Sequence, residues 1–403
     1  MRLNFASALL VLAVAATILP PGYPAYVGSY IALVAAILAL LIYGWRERAM
    51  FRHPTALAMM TAIALVALAV PFVYRGEPDI LAPILILPML SAIALGLLAR
   101  PAKWVPSPTV FAMICLLAVF IALVGGAHER FVLGVYRPGM GNNPIHYASL
   151  AAMAGCLAMV GVVSGKSAWR YLFLLGPVLG LGCAVIADSR GPMLGAMVMS
   201  VTGIIVLSIF LWRETLFRIA ALITIAVAIG AVAYLVGSGN QRAVSIFHSG
   251  LNIFQFTGGS DDIRAALYAS AVEILKNSPI VGIGLGQIMV TAQTLFPQQG
   301  GVFTLENLHA DWANFAAIAG GIGLLAWLLL LAAPLMLLLD SRARQDHPAV
   351  LGALLLSTGQ LALGISNATF GILPQTMLYA VSLGYFLVRA RRLAVAESSA
   401  MVI

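Results

Sequence analysis

The chain has 403 residues, of which 62% are hydrophobic and only 9% are charged. Soluble domains average about 25% charged residues, so this composition excludes an ordinary soluble protein and indicates a polytopic membrane protein. The net charge of +8 comes without a soluble basic domain, and it therefore does not indicate nucleic-acid binding. The three cysteines fall inside apolar runs, which predicts packing rather than a disulfide or a zinc site.

Apolar runs of about 20 residues, the length that crosses the hydrocarbon core, recur along the chain. The first run resembles a signal peptide. However, "PPGYP" after it is a poor cleavage site and a second run follows at once, so we assign it as a helix. We predict twelve spans, at residues 4–20, 24–44, 55–74, 80–99, 107–125, 144–164, 169–187, 192–212, 217–236, 310–339, 348–367 and 372–389. An even number places both termini on one side of the membrane.

The distribution of basic residues gives the orientation. With cytoplasmic termini, 15 of the 22 lysines and arginines fall in inner segments and 7 in outer ones. Basic residues in short loops stay in the cytoplasm, so this orientation is favoured and the outer basic residues need another reason. The seven are Arg75, Arg130, Arg137, Arg190, Arg242, Arg264 and Lys276.

Two outer connections are unusually long, at about 126–143 and 237–309. Loops of this length are commonly functional. We therefore divide the chain into helices 1–9 (1–236), a large periplasmic loop (237–309) and the last three helices with a short cytoplasmic tail (310–403). Within the loop, "SDDIRAALYASAVEILKNSP" has apolar residues at helical spacing, which predicts an amphipathic helix over the outer face.

Arg190 lies in "IADSRGPMLG", a connection so short that it must sit at the outer edge of two helices. Pro192 suits the first turn of the second helix, which places Asp188, Ser189 and Arg190 at that helix's N-terminus. Such a position favours an anion, and an arginine adds bidentate phosphate geometry. The alternative is a snorkelling arginine paired with Asp188.

Arg264 begins the loop helix, with Tyr268 one turn later and the glycine-rich "SPIVGIGLGQ" after it. No strand precedes these glycines, so they predict a tight turn with close backbone approach rather than a dinucleotide site. The alternative for Arg264 is a solvated side chain that pairs with Asp261 and Asp262.

His309 lies in "LENLHADWANFAAIAGGIG", at the mouth of an apolar run about 44 Å long as a helix. Since the hydrocarbon core is about 30 Å thick, the first turns and His309 are expected outside it. A histidine there suits a general base, oriented by Glu306 or Asp311; a helix cap or interfacial residue is the alternative. The glycines that follow, Gly320, Gly321 and Gly323, favour close helix packing over catalysis.

The segment "NNPIHYAS" starts a helix on the same face, where Asn143 and His146 suit sugar hydroxyls or, equally, helix capping. The sequence contains no HxxxH or HExxH pattern, so it does not predict a metal site. A triad of Ser189, His309 and Asp188 would lack the GxSxG elbow that activates such a serine.

These motifs together resemble the O-antigen ligases. "HADWANFAAIAGGIG" matches the family's histidine with GxxG eleven residues downstream, although this chain has Ala310 where the family usually has Asn, Ser or Gln. "SRG" at 189–191 looks like the family's arginine before a helix. Arg264 with "NSPIVGIGLG" is similar to its second arginine ahead of a P-x-x-G-x-G turn, and "NNPIHYAS" resembles the start of its mid-chain helix.

The resemblance implies an all-α, GT-C-like bundle of about twelve helices with one large periplasmic loop, in the bacterial inner membrane. It implies an inverting glycosyltransferase, without metal or other cofactor, that moves a glycan from undecaprenyl diphosphate to lipid A-core and so completes lipopolysaccharide. His309 would be the base, and Arg190 and Arg264 would bind the diphosphate. The further candidate substrate-binding residues are Arg137, Asn143, His146, Ser189 and Tyr268.

The sequence leaves the acceptor open, because O-antigen polymerases and protein O-oligosaccharyltransferases share this plan. The basic outer loops suit anionic core phosphates and favour a ligase. A polyprenyl-lipid transporter or flippase is the alternative of a different class, but transporters often carry repeated halves and midplane charges, whereas here polar residues gather at one face. A cell-wall polymerase of the rod-shape type would need a carboxylate in the outer loop, for which Asp261 and Asp262 are available.

Overall fold

The computed structural model of the chain describes residues 4–237, 260–297 and 305–400, and the regular structure within these ranges is entirely helical. The α-helices are α1 (Phe5–Ile18), α2 (Pro24–Tyr43), α3 (Pro54–Val73), α4 (Glu77–Ile86), α5 (Ser91–Gly96), α6 (Pro108–Ala127), α7 (Pro144–Leu157), α8 (Leu175–Ile186), α9 (Arg190–Leu211), α10 (Thr215–Gly237), α11 (Ser260–Asn277), α12 (Ile288–Leu295), α13 (Asp311–Met336), α14 (Ser341–Gln345), α15 (His347–Gly364) and α16 (Leu373–Ala400).

Eight helical stretches in the described residues are long and apolar enough to cross a membrane. They are Pro24–Tyr43, Pro54–Val73, Glu77–Ala99, Pro108–Val132, Pro144–Val163, Ala168–Ile186, Arg190–Leu211 and Asp311–Leu339. Two shorter apolar helices, Phe5–Ile18 and Thr215–Ala226, accompany them. The all-α polytopic class is thus confirmed. A helix stands at each of the twelve predicted positions, but the number of spans that cross the membrane stays a prediction.

Small residues bring the helices together, because without Cβ atoms the backbones approach closely. A Cβ on Gly195 would overlap Leu363, and one on Gly359 would overlap the side chain of Met199. Positions rise along α9 as they fall along α15, so these helices pack antiparallel. Their register places the start of α9 beside the end of α15.

Ion pairs gather at the end of the bundle opposite the start of α9. Arg389 binds Asp346 at 2.8 Å, and Arg391 binds Glu47 at 3.3 Å. Arg170 also pairs with Glu214, which lowers the pKa of that carboxyl through its hydrogen bonds to Arg170 and Tyr171. Many of the basic residues predicted to be cytoplasmic therefore lie at one end, in line with the predicted topology.

The loop helix predicted after Ser260 is observed as α11. Together with α12 and the first turns of α13 it forms a second, smaller apolar core, which includes Leu267, Ile274 and Leu308. The predicted loop of 237–309 is described only in its parts 260–297 and 305–309. This small core fixes α11 against the start of α13, where His309 lies.

Candidate functional site

The long helix α13 is broken near its first third. Ala319 and Gly320 have non-helical backbone angles, with φ 60° and ψ −141° at Gly320. The break exposes carbonyls that a continuous helix would satisfy internally, and buried backbone groups need partners. Ala317 O accepts from Ile283 N at 2.9 Å, and Ile318 O accepts from Gly284 N at 3.2 Å.

The same segment, which we call the docking turn (residues 278–286), also accepts from the second half of α13. Gly321 N donates to Pro279 O at 2.8 Å, and Ile322 N donates to Ile280 O at 3.2 Å. Four backbone hydrogen bonds therefore insert the docking turn into the gap of the broken helix.

Two glycines make this insertion possible. A Cβ on Gly320 would lie 2.5 Å from the carbonyl carbon of Ile280, and one on Gly282 would lie 2.5 Å from Ala317 O. Both have positive φ, which other residues rarely adopt. The prediction of a tight turn with close backbone approach in "SPIVGIGLGQ" is thus met. The prediction of an uninterrupted helix through Gly320 is wrong, because this glycine serves the break.

A buried carboxylate that the sequence reading missed holds the docking turn from its other side. Asp79 is 1% exposed. Its Oδ1 accepts from Gly286 N at 2.9 Å and its Oδ2 from Arg75 N at 2.8 Å. The only sequence signal was an acid followed by the apolar run "ILAPILILP". Asp79 ties the docking turn to the connection between α3 and α4.

His309 lies just before α13 in the left-handed region, with φ 53°. Non-glycine residues rarely adopt this conformation, and it occurs preferentially at functional sites. Its N–H donates to Asn307 Oδ1 at 2.8 Å, while Asn314 Oδ1 accepts from Leu308 N at 2.9 Å. Two asparagine side chains thus hold the loop that presents the imidazole.

Burial lowers the pKa of His309, and the nearby positive charge of Arg264 lowers it further. The neutral imidazole, which accepts a proton, is therefore favoured at neutral pH. Arg264 and His309 were predicted as site residues from separate motifs, and the structure brings them close enough to interact electrostatically. A neutral base beside a fixed cation is the arrangement that an acid–base reaction on an anionic substrate requires.

Two further predicted residues lie near this pair, Tyr268 near Arg264 and His146 near His309. Tyr268 is buried and its ring lies 5.6 Å from that of Trp312. Burial raises the pKa of Tyr268, and Arg264 opposes the rise, so the hydroxyl stays protonated. His146, in the first turn of α7, lies close enough to His309 for the two imidazoles to repel each other when both are charged.

The turn between α8 and α9 holds a second group of predicted residues. Arg190 is half-buried and is the first residue of α9, as predicted from Pro192. Arg137 donates from Nη2 to Ser189 Oγ at 3.3 Å and from Nε to Ala187 O at 3.4 Å. Asp188 has φ 50° and accepts from the hydroxyl of Tyr136 at 3.0 Å. The segment before α7 therefore braces the turn that presents Arg190.

Asn143 caps α7, since its Oδ1 accepts from Ile145 N at 2.9 Å. Its capping interpretation is thus observed, while sugar binding stays a prediction.

Asp311, one of two suggested partners for His309, is fully buried and binds elsewhere. Its carboxylate accepts from the N–H groups of Thr369 at 2.7 Å and Phe370 at 3.1 Å and from the Thr369 hydroxyl. Asp311 is therefore an anchor of the α15–α16 connection.

Ala310 has no polar side-chain group, and it is fully buried in the small core. Position 310 therefore does not supply the polar group that the family usually has there. Among the described residues, no three His, Cys, Asp or Glu side chains gather closely enough to hold a metal ion. The side chains of Asp261 and Asp262, on which the cell-wall polymerase alternative depended, lie outside the described residues.

The fold and this geometry define a polytopic membrane protein with a polar, arginine- and histidine-containing site at one end of its helix bundle. Residues 175–328 match the family described as O-antigen ligase. The matched segment begins in α8 and ends within α13, so it includes Arg190, Arg264 and His309. The match confirms the resemblance to this family and includes three of the four motifs, whereas "NNPIHYAS" (142–149) lies outside the matched residues. No curated protein sequence matches the chain.

Proposed function

We propose that the protein is an O-antigen ligase that transfers a glycan from undecaprenyl diphosphate to lipid A-core on the periplasmic face of the inner membrane. The match over residues 175–328 supports an O-antigen ligase or polymerase type of function, and members of that family are glycosyltransferase-like ligases. The observation that carries the finer proposal is His309, kept neutral by burial and by Arg264 at the mouth of α13.

The periplasmic location rests on charge. In the predicted topology the site end carries 7 of the 22 lysines and arginines and the opposite end carries 15. Among the described residues, ion pairs such as Arg389–Asp346 lie at that opposite end. Basic residues are retained on the cytoplasmic side, so the site end faces outward. Both termini are then cytoplasmic.

The proposed reaction is a single displacement. His309 takes the proton of an acceptor hydroxyl as that oxygen bonds to the anomeric carbon. The bond from this carbon to the phosphate oxygen breaks, and its electron pair leaves with the diphosphate. Attack opposite the leaving group inverts the anomeric configuration. General-base assistance of this kind contributes roughly 10²–10⁴-fold.

Arg190 and Arg264 stabilise the diphosphate as its negative charge grows. Both are half-buried, which excludes part of the water that would screen their charges. Arg190 also lies at the N-terminus of α9, where the helix dipole favours an anion. Loss of one such preorganised donor typically costs about 2.7–4 kcal/mol in the transition state. The further candidates for substrate binding are Tyr268, His146, Ser189, Arg137 and Asn143.

A transfer assay with purified protein tests the proposal. The protein is given undecaprenyl-diphosphate glycan and core–lipid A with EDTA, alongside Arg190→Ala, Arg264→Ala and His309→Ala. Two control variants change the same residue types outside the site: Lys276→Ala, an exposed cation on α11 paired with Glu273, and His128→Ala, an exposed histidine.

Glycan-capped lipid A from the wild type and both controls, with a loss of at least 100-fold in each site variant, is expected. Lengthened lipid-linked glycan instead would establish a polymerase. Transfer to a protein serine would establish an oligosaccharyltransferase. Lipid-linked glycan that crosses the bilayer without any transfer would replace the proposal with a flippase.

A further inference from the structure

The connection between α15 and α16 (residues 365–372, the polar turn) carries enclosed polar groups that the proposed reaction does not yet use. Asn367 is 2% exposed, and the Oγ of Ser366 is also shielded from solvent. Within the described part of the chain, neither Ser366 Oγ nor Asn367 Nδ2 has a hydrogen-bond partner. Buried polar side chains are nearly always paired, so two neighbouring donors without a protein partner indicate a ligand position.

The rest of the polar turn is firmly held. The carboxylate of Asp311 binds the backbone N–H groups of Thr369 and Phe370, and Gln360 donates to the Thr369 hydroxyl. Gly371 N also donates to Thr376 Oγ1 at 3.0 Å. Since these bonds fix the backbone that follows Asn367, the two unsatisfied donors do not result from a loosely placed segment.

The polar turn lies between the two halves of the candidate site. A Cβ on Gly191 would overlap Ser366 Oγ, so this hydroxyl lies against the first turn of α9, next to Arg190. Asp311, which anchors the turn on its other side, follows His309 by two residues. Ser366 and Asn367 are thus placed between the arginine and the base.

We propose that Ser366 and Asn367 are binding residues for the polyprenyl-diphosphate donor, to which they donate hydrogen bonds at a phosphate oxygen beside Arg190. The inference rests on the proposed function, since it names further contacts at the same site. A hydroxyl and an amide N–H at a helix N-terminus suit a phosphate oxygen, which accepts hydrogen bonds without donating any. These neutral donors add directional contacts to the charge of the arginine.

Three variants test this: Ser366→Ala, Asn367→Ala and the isosteric Asn367→Asp, which replaces the N–H donor by a carboxylate. Ser382→Ala is the matched control. Its hydroxyl is likewise enclosed and unpaired among the described residues, but it lies in α16 about 13 Å along the helix from Leu373. The measurements are kcat/KM for the lipid-linked donor, KM for the acceptor, and the unfolding midpoint in detergent without substrate.

We expect kcat/KM for the donor to fall about 10- to 100-fold in both alanine variants and further in Asn367→Asp, where the carboxylate repels the phosphate. The acceptor KM and the substrate-free unfolding midpoint should stay at wild-type values, because neither Ser366 Oγ nor Asn367 Nδ2 has a hydrogen-bond partner among the described residues. A merely structural role would instead lower the midpoint.

Donor kinetics equal to those of Ser382→Ala, in a protein whose wild type transfers glycan from the diphosphate donor, would overturn the inference and leave the proposed function intact. A wild type that accepts no diphosphate-linked glycan would refute the proposed function itself. If the alanine variants are too unstable to measure, Asn367→Asp retains the side-chain shape and provides the decision.

Discussion

Substitution of Gly320 by alanine tests the insertion of the docking turn into α13. The φ and ψ values of this glycine, 60° and −141°, belong to a region that is essentially restricted to glycine, and a side chain there costs about 1–3 kcal/mol. The added Cβ would also lie 2.5 Å from the carbonyl carbon and 2.6 Å from the carbonyl oxygen of Ile280. Neither backbone atom can yield without moving the docking turn.

The displaced turn loses at least the two hydrogen bonds from Gly321 N and Ile322 N, at about 0.5–1.5 kcal/mol each. The change therefore disfavours the docked state by about 2–6 kcal/mol in total. Because the docking turn follows directly from the helix that carries Arg264, displacement separates this arginine from His309. We expect glycan transfer to fall at least tenfold, with a lower unfolding midpoint.

The assay compares transfer rate and detergent-solubilised thermal unfolding for the wild type, Gly320→Ala and Gly230→Ala. Gly230 lies in α10, and a Cβ there meets no atom within 4 Å, so its replacement should change neither quantity measurably. Wild-type transfer and stability in Gly320→Ala would show that the break in α13 is not maintained by this glycine, and the account of the docking turn would have to be abandoned.

Two further predictions follow from the site. Since the pKa of His309 is lowered, transfer should persist below pH 6.5 and fall only as the imidazole protonates at lower pH. Arg264→Gln removes the cation and raises that pKa, so the acid limb of the normalised pH–rate profile should move to higher pH. Lys276→Gln should not move it. Asp79→Ala removes the acceptor of two partly buried N–H groups, those of Arg75 and Gly286, so the unfolding midpoint and transfer rate should both drop. Removal of its exposed neighbour by Glu77→Ala should leave both unchanged.

Hydropathy predicted the positions of the helices well, because each apolar run of suitable length must form helix to satisfy its backbone in lipid. Periodicity could not reveal the break at Gly320. The residues on both sides of it are apolar helix formers, and the groups that satisfy the interrupted backbone come from Pro279 to Gly284, some 40 residues earlier in the chain. A break of this kind depends on its partner, the docking turn, and local sequence patterns do not predict that contact.

The sequence predicts those site residues whose charged or titratable side chains are unusual in an apolar chain. Arg190, Arg264 and His309 stand out in an apolar chain, and the structure places Arg264 beside His309. Residues whose importance lies in burial were missed. Asp79 lies just before a predicted span and Asn367 at the end of another, and only the packed structure shows that they are 1% and 2% exposed.

The docking turn explains how two glycine-containing motifs that are far apart in sequence form one structural unit. They are "SPIVGIGLGQ" and the glycines that follow His309 in α13. Helix α11 carries Arg264 at its start and leads into the docking turn, and the first segment of α13 follows His309 and ends at the break that receives this turn. The two segments therefore run side by side toward a common fixed point, with Tyr268 against Trp312 between them. At that point backbone hydrogen bonds join the two segments, and these bonds persist when surface side chains change. The separation of cation and base is thus set by the lengths of α11 and of the first segment of α13.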